Sequence, residues 1–457
     1  MPTSLLDSQT EALLRNDKML IERTRFPMVT VSSSFREDLK QFYGMEHDPM
    51  MRDVVFSRAH FSMAFGVAVY AWESSGAEKE CPLSEKITAK CDENIAWFVD
   101  PTNYVRSEDW SKIQTTEYIG RRLARNQVLK WIKDQVDTFA RNKLPITNAI
   151  TPSLLHIFRK VERPIISFHY EAGNILGATG KRVVQVLTDP HVRDQYLHLA
   201  HLPNMKYCVM DEKTREDFLE KAAIFKKDVD PNRVIITGPP IDPRIIAARK
   251  RKNPFALKRR PLRLCITTGG LGTNKDEIKE ILTLLFDLLR KRPSPIQLLC
   301  YGGTQHDFTL MVQEIAKKER IAIGNLEDRS APFRLIHGKH IVGLNEEMIT
   351  YAFPWADGFI SKPSGDMAYD AAAAGCFLLF LTSWGKWEEN IQHVFEQRGI
   401  GRRAQIDYIK EQIEVLGSPI LLHHDSWYAK AMQNALDIPP LFLNGAKNIL
   451  SVAKNWK

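Results

Sequence analysis

Residues 356–390 read ADGFISKPSGDMAYDAAAAGCFLLFLTSWGKWEEN. ADGFIS is a short apolar strand, KPSG a turn, MAYDAAAAG a helix and CFLLFLT a second apolar strand. Two such strands joined by a helix form a βαβ unit, whose strands lie parallel in one sheet. Ligands of open α/β sheets bind beyond the carboxyl ends of the strands. The segments that follow the two strands, KPSGD and SWGKWEEN, are therefore where chemistry is expected.

The same rhythm runs outward in both directions. LRLCITT (262–268) is a buried-type strand, GGLGTN (269–274) a turn, and KDEIKEILTLLFDLLRKR (275–292) an amphipathic helix. IQLLCYGG (296–303) and KHIVGL (339–344) read as further strands. Upstream, DVVFS (53–57) reads as a strand that passes through Arg58-Ala59-His60 into a helix, FSMAFGVAVYAWESS. NIAWFVD, LPITNAIT, PIISFHY, KRVVQVLTD, MKYCVMD and RVIITG then alternate with helical or turn segments. A chain of 457 residues exceeds one core. The expected class is α/β with two domains: an extension over 1–50, an N-terminal Rossmann-like domain over 51–243, a linker over 244–261, a C-terminal Rossmann-like domain over 262–430 and a helical tail over 431–457. The linker assignment follows RKRKNPFALKRR (249–260), with seven cationic residues in twelve.

Composition narrows the class of protein. Apolar residues are 44% and charged residues 26%, as in soluble globular chains. No apolar run approaches the ~20 residues of a membrane span, and the first residues lack a signal-peptide core. Cys81, Cys91, Cys208, Cys265, Cys300 and Cys376 are scattered, which argues against a zinc site or a disulfide framework and for a reducing, cytoplasmic setting. The net charge of +8 favours an anionic partner without choosing among nucleotide phosphate, acidic membrane and nucleic acid.

Three strand ends carry candidate chemistry. Thr267-Thr268-Gly269-Gly270-Leu271-Gly272-Thr273-Asn274 offers glycines that let backbone N–H groups approach an anion, though a tight turn with no ligand reads equally well. Around Lys362, Ser364, Gly365 and Asp366 a diphosphate finds small residues and a cation, with a solvated lysine as the alternative. Asp370, in the helix that follows, is placed to accept hydrogen bonds from a ribose diol or merely to favour the helix start. Glu388 and Asn390 are placed to hold sugar hydroxyls, with helix capping as the alternative.

This segment resembles the donor-binding signature of glycosyltransferase family 28, which includes galactolipid and glucolipid synthases and the GlcNAc transferase of peptidoglycan precursor synthesis. Lys362-Pro363 is kept, Ser364-Gly365 replaces a glycine pair, Asp370 stands where a ribose-binding Glu usually stands, and Glu388 and Asn390 match a later E-x-N. Val186-Leu187-Thr188-Asp189-Pro190-His191 and Thr237-Gly238-Pro239-Pro240-Ile241 also resemble family segments. The departure is at Phe56-Ser57-Arg58-Ala59-His60, where a glycine-rich loop ending in His is usual.

The resemblance implies a GT-B fold and an inverting, metal-independent transfer of a hexose or N-acetylhexosamine from a UDP-sugar, a co-substrate, with no resident cofactor. It implies His60 as general base with Asp189 as second choice, and His169 and Arg58 on the acceptor side. The implied acceptor is a lipid at an anionic membrane surface, on which Arg121, Arg122, Arg125, Lys130 and Lys133, with Trp131 and Ile132, offer a docking stretch, though a solvated helix with a core-facing stripe reads equally well. Nucleic acid ranks last as a partner. An epimerase of nucleotide sugars and a non-catalytic nucleotide-sugar-binding relative are the alternatives.

Overall fold

The computed structural model describes residues 7–105, 109, 145–269, 274–419 and 425–456. The basic stretch at 121–133 and the residues Gly270, Gly272 and Thr273 lie outside them. The chain divides into two compact units, 1–242 with 444–457, and 243–443.

The first unit holds strands β1 (Phe26–Val29), β2 (Ser33–Ser34), β3 (Val54–Val55), β4 (Ala96–Val99), β5 (Ile165–Ser167), β6 (Val183–Val186), β7 (Met205–Val209) and β8 (Val234–Ile236). Six of them make a parallel sheet in the order β4-β1-β5-β6-β7-β8, while β2 and β3 pair antiparallel. Residues 1–50 are thus more than a lead-in, because β1 sits inside the sheet between β4 and β5. Pro27 hides it: proline disfavours a central strand. Here Pro27 lies opposite Trp97 of β4, and pairing with β5 begins only at Met28. DVVFS contributes two strand residues at the margin. LPITNAIT lies in a helix, Pro145–Ile157, rather than in a strand.

The second unit holds β9 (Leu262–Thr267), β10 (Ile296–Gly303), β11 (Phe333–His337), β12 (Gly358–Ser361), β13 (Phe377–Phe380) and β14 (Gly401–Arg403). All are parallel, in the order β11-β10-β9-β12-β13-β14. The strand expected at KHIVGL lies earlier, at β11, and Ile341–Glu347 is a helix. The signal was masked by Arg334, which is fully buried with its guanidinium stacked 4.3 Å from the Trp355 ring centre. A charged residue inside a strand breaks the apolar pattern, and this one is retained by its stacking and by a hydrogen bond to the Leu326 carbonyl.

The segment expected as an exposed linker, 244–261, is built into the second unit. Arg249 donates to the carbonyls of Ala373 and Leu436, Lys252 to those of Phe353 and Ala356, and Arg260 forms a paired contact with Asp357 at 2.6 and 2.7 Å. Three of its cations finish carbonyl and carboxylate ends of the domain, while Lys250, Arg251 and Arg259 are exposed as the charge density suggested.

The helical tail separates into two destinations. Trp427–Leu436 stays with the second unit, and Gly445–Lys454 returns to the first. Asn448 donates to the Thr237 carbonyl at 2.9 Å and Lys206 lies over the Trp456 ring. A Cβ at Gly445 would stand 1.9 Å from the Pro239 oxygen and 2.8 Å from that of Gly238. These are backbone atoms, so Gly445→Ala must push the helix off its seat. The expected cost is about 2–3 kcal/mol, read as a lowered midpoint for the first unit in calorimetry. An unchanged midpoint would show that the helix seat is loose.

Candidate functional site

In the second unit the chain moves from β9 outward through β10 and β11, then returns past β9 to β12. The loops after β9 and β12 therefore diverge, and this switch point is where open sheets bind ligands. Gly269 closes the first loop's described part and Lys362 opens the second. The Lys362 stem lies directly on Gly269, where an added Cβ would meet Cε at 2.4 Å and Cδ at 2.7 Å. The glycine is thus required by a crossing side chain, a reason that its place in a GGLG run did not convey.

Lys362 reaches over Gly269 to Glu388, with Nζ 2.6 Å from Oε1. Glu388 is 1% exposed, and its Oε2 accepts the Trp384 backbone N–H at 2.7 Å. Glu388 is in the first turn of the helix Lys386–Gln397 and reaches back to the turn before it, as a capping residue does. Asn390 is half-buried on the same helix.

Ser364 accepts the Met367 N–H at 3.2 Å and donates to Asp366 at 2.8 Å, which shapes the turn through Gly365. Asp370 lies in the short helix Met367–Ala373 and is 5% exposed. The sequence-expected residues Gly269, Lys362 and Glu388 are thus in one contact chain, Ser364 and Asp366 in a second, and Asp370 one helical turn beyond Asp366, whose carbonyl its N–H reaches at 2.8 Å.

Three further residues bracket the first loop. Gln305, after β10, donates to the Gly269 carbonyl at 2.9 Å. Asn274 donates to the Thr382 carbonyl at 3.0 Å and to Glu277 at 3.1 Å, and Glu277 accepts the Thr382 N–H. Asn274 closes the glycine-rich stretch already picked out in the sequence, whereas Gln305 and Glu277 were missed there. The available signal was a polar amide or acid just past a strand end or a glycine-rich turn.

The first unit gathers its own polar group at the carboxyl ends of β5 and β6. His60 is at the start of the helix Arg58–Ser75, where Ser57 caps the chain. Its Nε2 is 3.0 Å from the Thr188 hydroxyl, and its ring meets that of His169 edge-on at 5.0 Å. His169 caps the helix Tyr170–Ala178, and its Nδ1 accepts the Glu171 N–H at 3.2 Å. An accepting Nδ1 places the proton of the neutral ring on Nε2.

Tyr196 also bonds Thr188, and burial pushes its phenol up to about 12. Asp189, next in the chain, takes a 3.4 Å contact from Arg193. His191 is held below the usual histidine range by burial and then by the nearby Lys221 and Arg193. Arg58 is buried. So His60, His169 and the Thr188-Asp189 strand end come together; Tyr196 is the member that the sequence did not single out, and Thr188 stood there only as part of the 186–191 segment.

Among the described residues no helix is long and apolar enough to cross a membrane. No protein-family model and no curated protein matches the chain. Solved structures do. A trehalose-6-phosphate protein from E. coli bound with UDP-2-fluoro glucose matches with a TM-score of 0.51 at 12% identity, over 94% of this chain and 99% of its own. An alpha,alpha-trehalose 6-phosphate synthase from Burkholderia multivorans gives 0.52 at 11%, over 95% and 100%. A Listeria monocytogenes protein described as a UDP-N-acetylglucosamine 2-epimerase gives 0.52 at 12%, over 94% and 96%. At such identities the likeness speaks for architecture alone, and that architecture is the GT-B fold, with two Rossmann-like α/β domains in one chain.

Proposed function

We propose that the chain is a nucleotide-sugar-dependent glycosyltransferase that moves a hexose or N-acetylhexosamine from a UDP-sugar to a hydroxyl acceptor with inversion. The observation that carries this reading is the Lys362–Gly269 crossing at the β9/β12 switch point, with Ser364, Gly365 and Asp370 following on the same loop and helix. It brings a cation, small residues and a carboxylate to one strand end, a set matched to diphosphate and ribose. Asp366 and Asn390 complete the donor side.

His60 is the general base of this proposal, with Asp189 as its alternate, and His169 and Arg58 face the acceptor. The sugar nucleotide is the co-substrate, and charge neutralisation by Lys362 and backbone donors does the work of a metal. A lipid acceptor in a cytoplasmic, membrane-peripheral setting rests on the family resemblance and the basic segment at 121–133.

Incubation with UDP-sugars, followed by assay of free UDP, tests the reading. Slow donor hydrolysis, accelerated by a lipid extract, is the expected result. Conversion to a different UDP-sugar would identify an epimerase instead, and binding with no turnover a non-catalytic relative. Asp370→Ala is expected to weaken UDP-sugar binding roughly 10- to 100-fold, the value of one or two hydrogen bonds to a charged group. A titration calorimetry result equal to wild type would remove Asp370 from the ribose site.

A further inference from the structure

We infer that Glu388 is a positioning residue that holds the Lys362 ammonium and yields it to the donor's diphosphate. The inference rests on the proposed sugar-nucleotide site and changes the role of one of its members. Family resemblance gives Glu388 to the sugar hydroxyls, yet both of its oxygens are engaged by protein donors, Oε1 by Lys362 at 2.6 Å and Oε2 by the Trp384 N–H at 2.7 Å. With 1% of the side chain exposed, it has almost no surface to offer a sugar hydroxyl.

Lys362 is placed differently. It is 15% exposed, and it is steered toward Glu388 by passing over Gly269, whose carbonyl accepts a hydrogen bond from Gln305. One carboxylate and one ammonium leave this contact with no net charge. A nucleoside diphosphate brings at least two negative charges and several acceptor oxygens, so it competes for Lys362 on better terms than a single carboxylate does. The cost of parting the pair is set against donor binding. Glu388 then retains the Trp384 turn, and the site attracts diphosphates more strongly than singly charged anions.

The experiment measures UDP affinity, without a sugar, for the intact chain and three variants. Glutamine at 388 keeps a carbonyl acceptor for the Trp384 N–H but releases the ammonium. Glu388→Gln is expected to bind UDP about tenfold more tightly, and Lys362→Met about tenfold more weakly. In the Lys362→Met background, Glu388→Gln should bring no tightening. A gain of affinity that depends on Lys362 is not produced by a residue that serves the fold alone.

If Glu388→Gln fails to fold, Glu388→Asp, which keeps the charge but withdraws it from Lys362, is read in the same assay with the same direction expected. Wild type that binds UDP, with an affinity unchanged or lowered in Glu388→Gln and Glu388→Asp, overturns the role assigned to Glu388 and leaves the site standing. Wild type that binds neither UDP nor UDP-sugars overturns both.

Discussion

Asp100→Ala is expected to destabilise the N-terminal domain by about 4 kcal/mol, lowering its calorimetric midpoint by roughly 10 °C. Asp100 is fully buried at the end of β4 and accepts five hydrogen bonds. Three reach the loop after β1, from the Ser32 N–H at 2.7 Å, the Ser32 hydroxyl at 2.7 Å and the Ser33 N–H at 2.9 Å. Two come from Thr102, whose N–H and hydroxyl lie at 3.0 and 2.7 Å. Alanine leaves these buried donors unmatched, and an unmatched donor costs about 1–3 kcal/mol. Asp100→Asn retains one acceptor oxygen but turns an amide against N–H groups, so about half the loss is expected. A drop below about 1 kcal/mol in the alanine variant would mean that the serine loop finds other partners.

The effect extends to function because the serine loop leaves β1, which is paired with β5, and His169 follows β5. This loop also bears on the missing glycines. The residues after the true first strand are Thr30-Val31-Ser32-Ser33-Ser34, small but held by side-chain acceptors, and His60 comes 31 residues after the end of β1 at Val29. Between that first strand and His60 the chain runs through β2, the helix Arg36–Phe42 and β3.

What the sequence made legible follows from where its signals are strongest. Continuous apolar runs such as CFLLFLT and LRLCITT face packed helices on both sides, so they announce a parallel sheet. Strands that break that rule went unseen: β1 contains Pro27, and β11 buries Arg334. Of the candidate site, Lys362, Asp370 and Glu388 were proposed because their residue types at strand ends are chemically conspicuous. Their mutual arrangement was not, since the Lys362–Glu388 contact spans 26 positions and depends on a glycine in a third loop. Thr188 and Gln305 carry no charge and stand out only once their hydrogen-bond partners are known.

His60→Ala is expected to leave UDP-sugar binding within about twofold of wild type and to lower turnover by roughly 100- to 10,000-fold, the range ascribed to a general base. The geometry sets a condition on this role. Nε2 is bonded to Thr188 at 3.0 Å, and Thr188 is bonded in turn to the buried Tyr196. The Thr188 hydroxyl thus helps to orient the imidazole, and Thr188→Val should reduce turnover by a smaller factor while sparing donor affinity.

The pH–rate profile separates catalysis from packing. A base that must be unprotonated produces an acid limb in kcat/KM, and that limb should disappear in His60→Ala while it persists, shifted, in Thr188→Val. If His60→Ala keeps both full turnover and the acid limb, the proton is taken elsewhere, and Asp189→Asn becomes the variant expected to abolish the reaction. Loss of donor binding together with turnover would instead show that His60 supports the fold of the β5–β6 strand ends, where its ring lies against His169 at 5.0 Å.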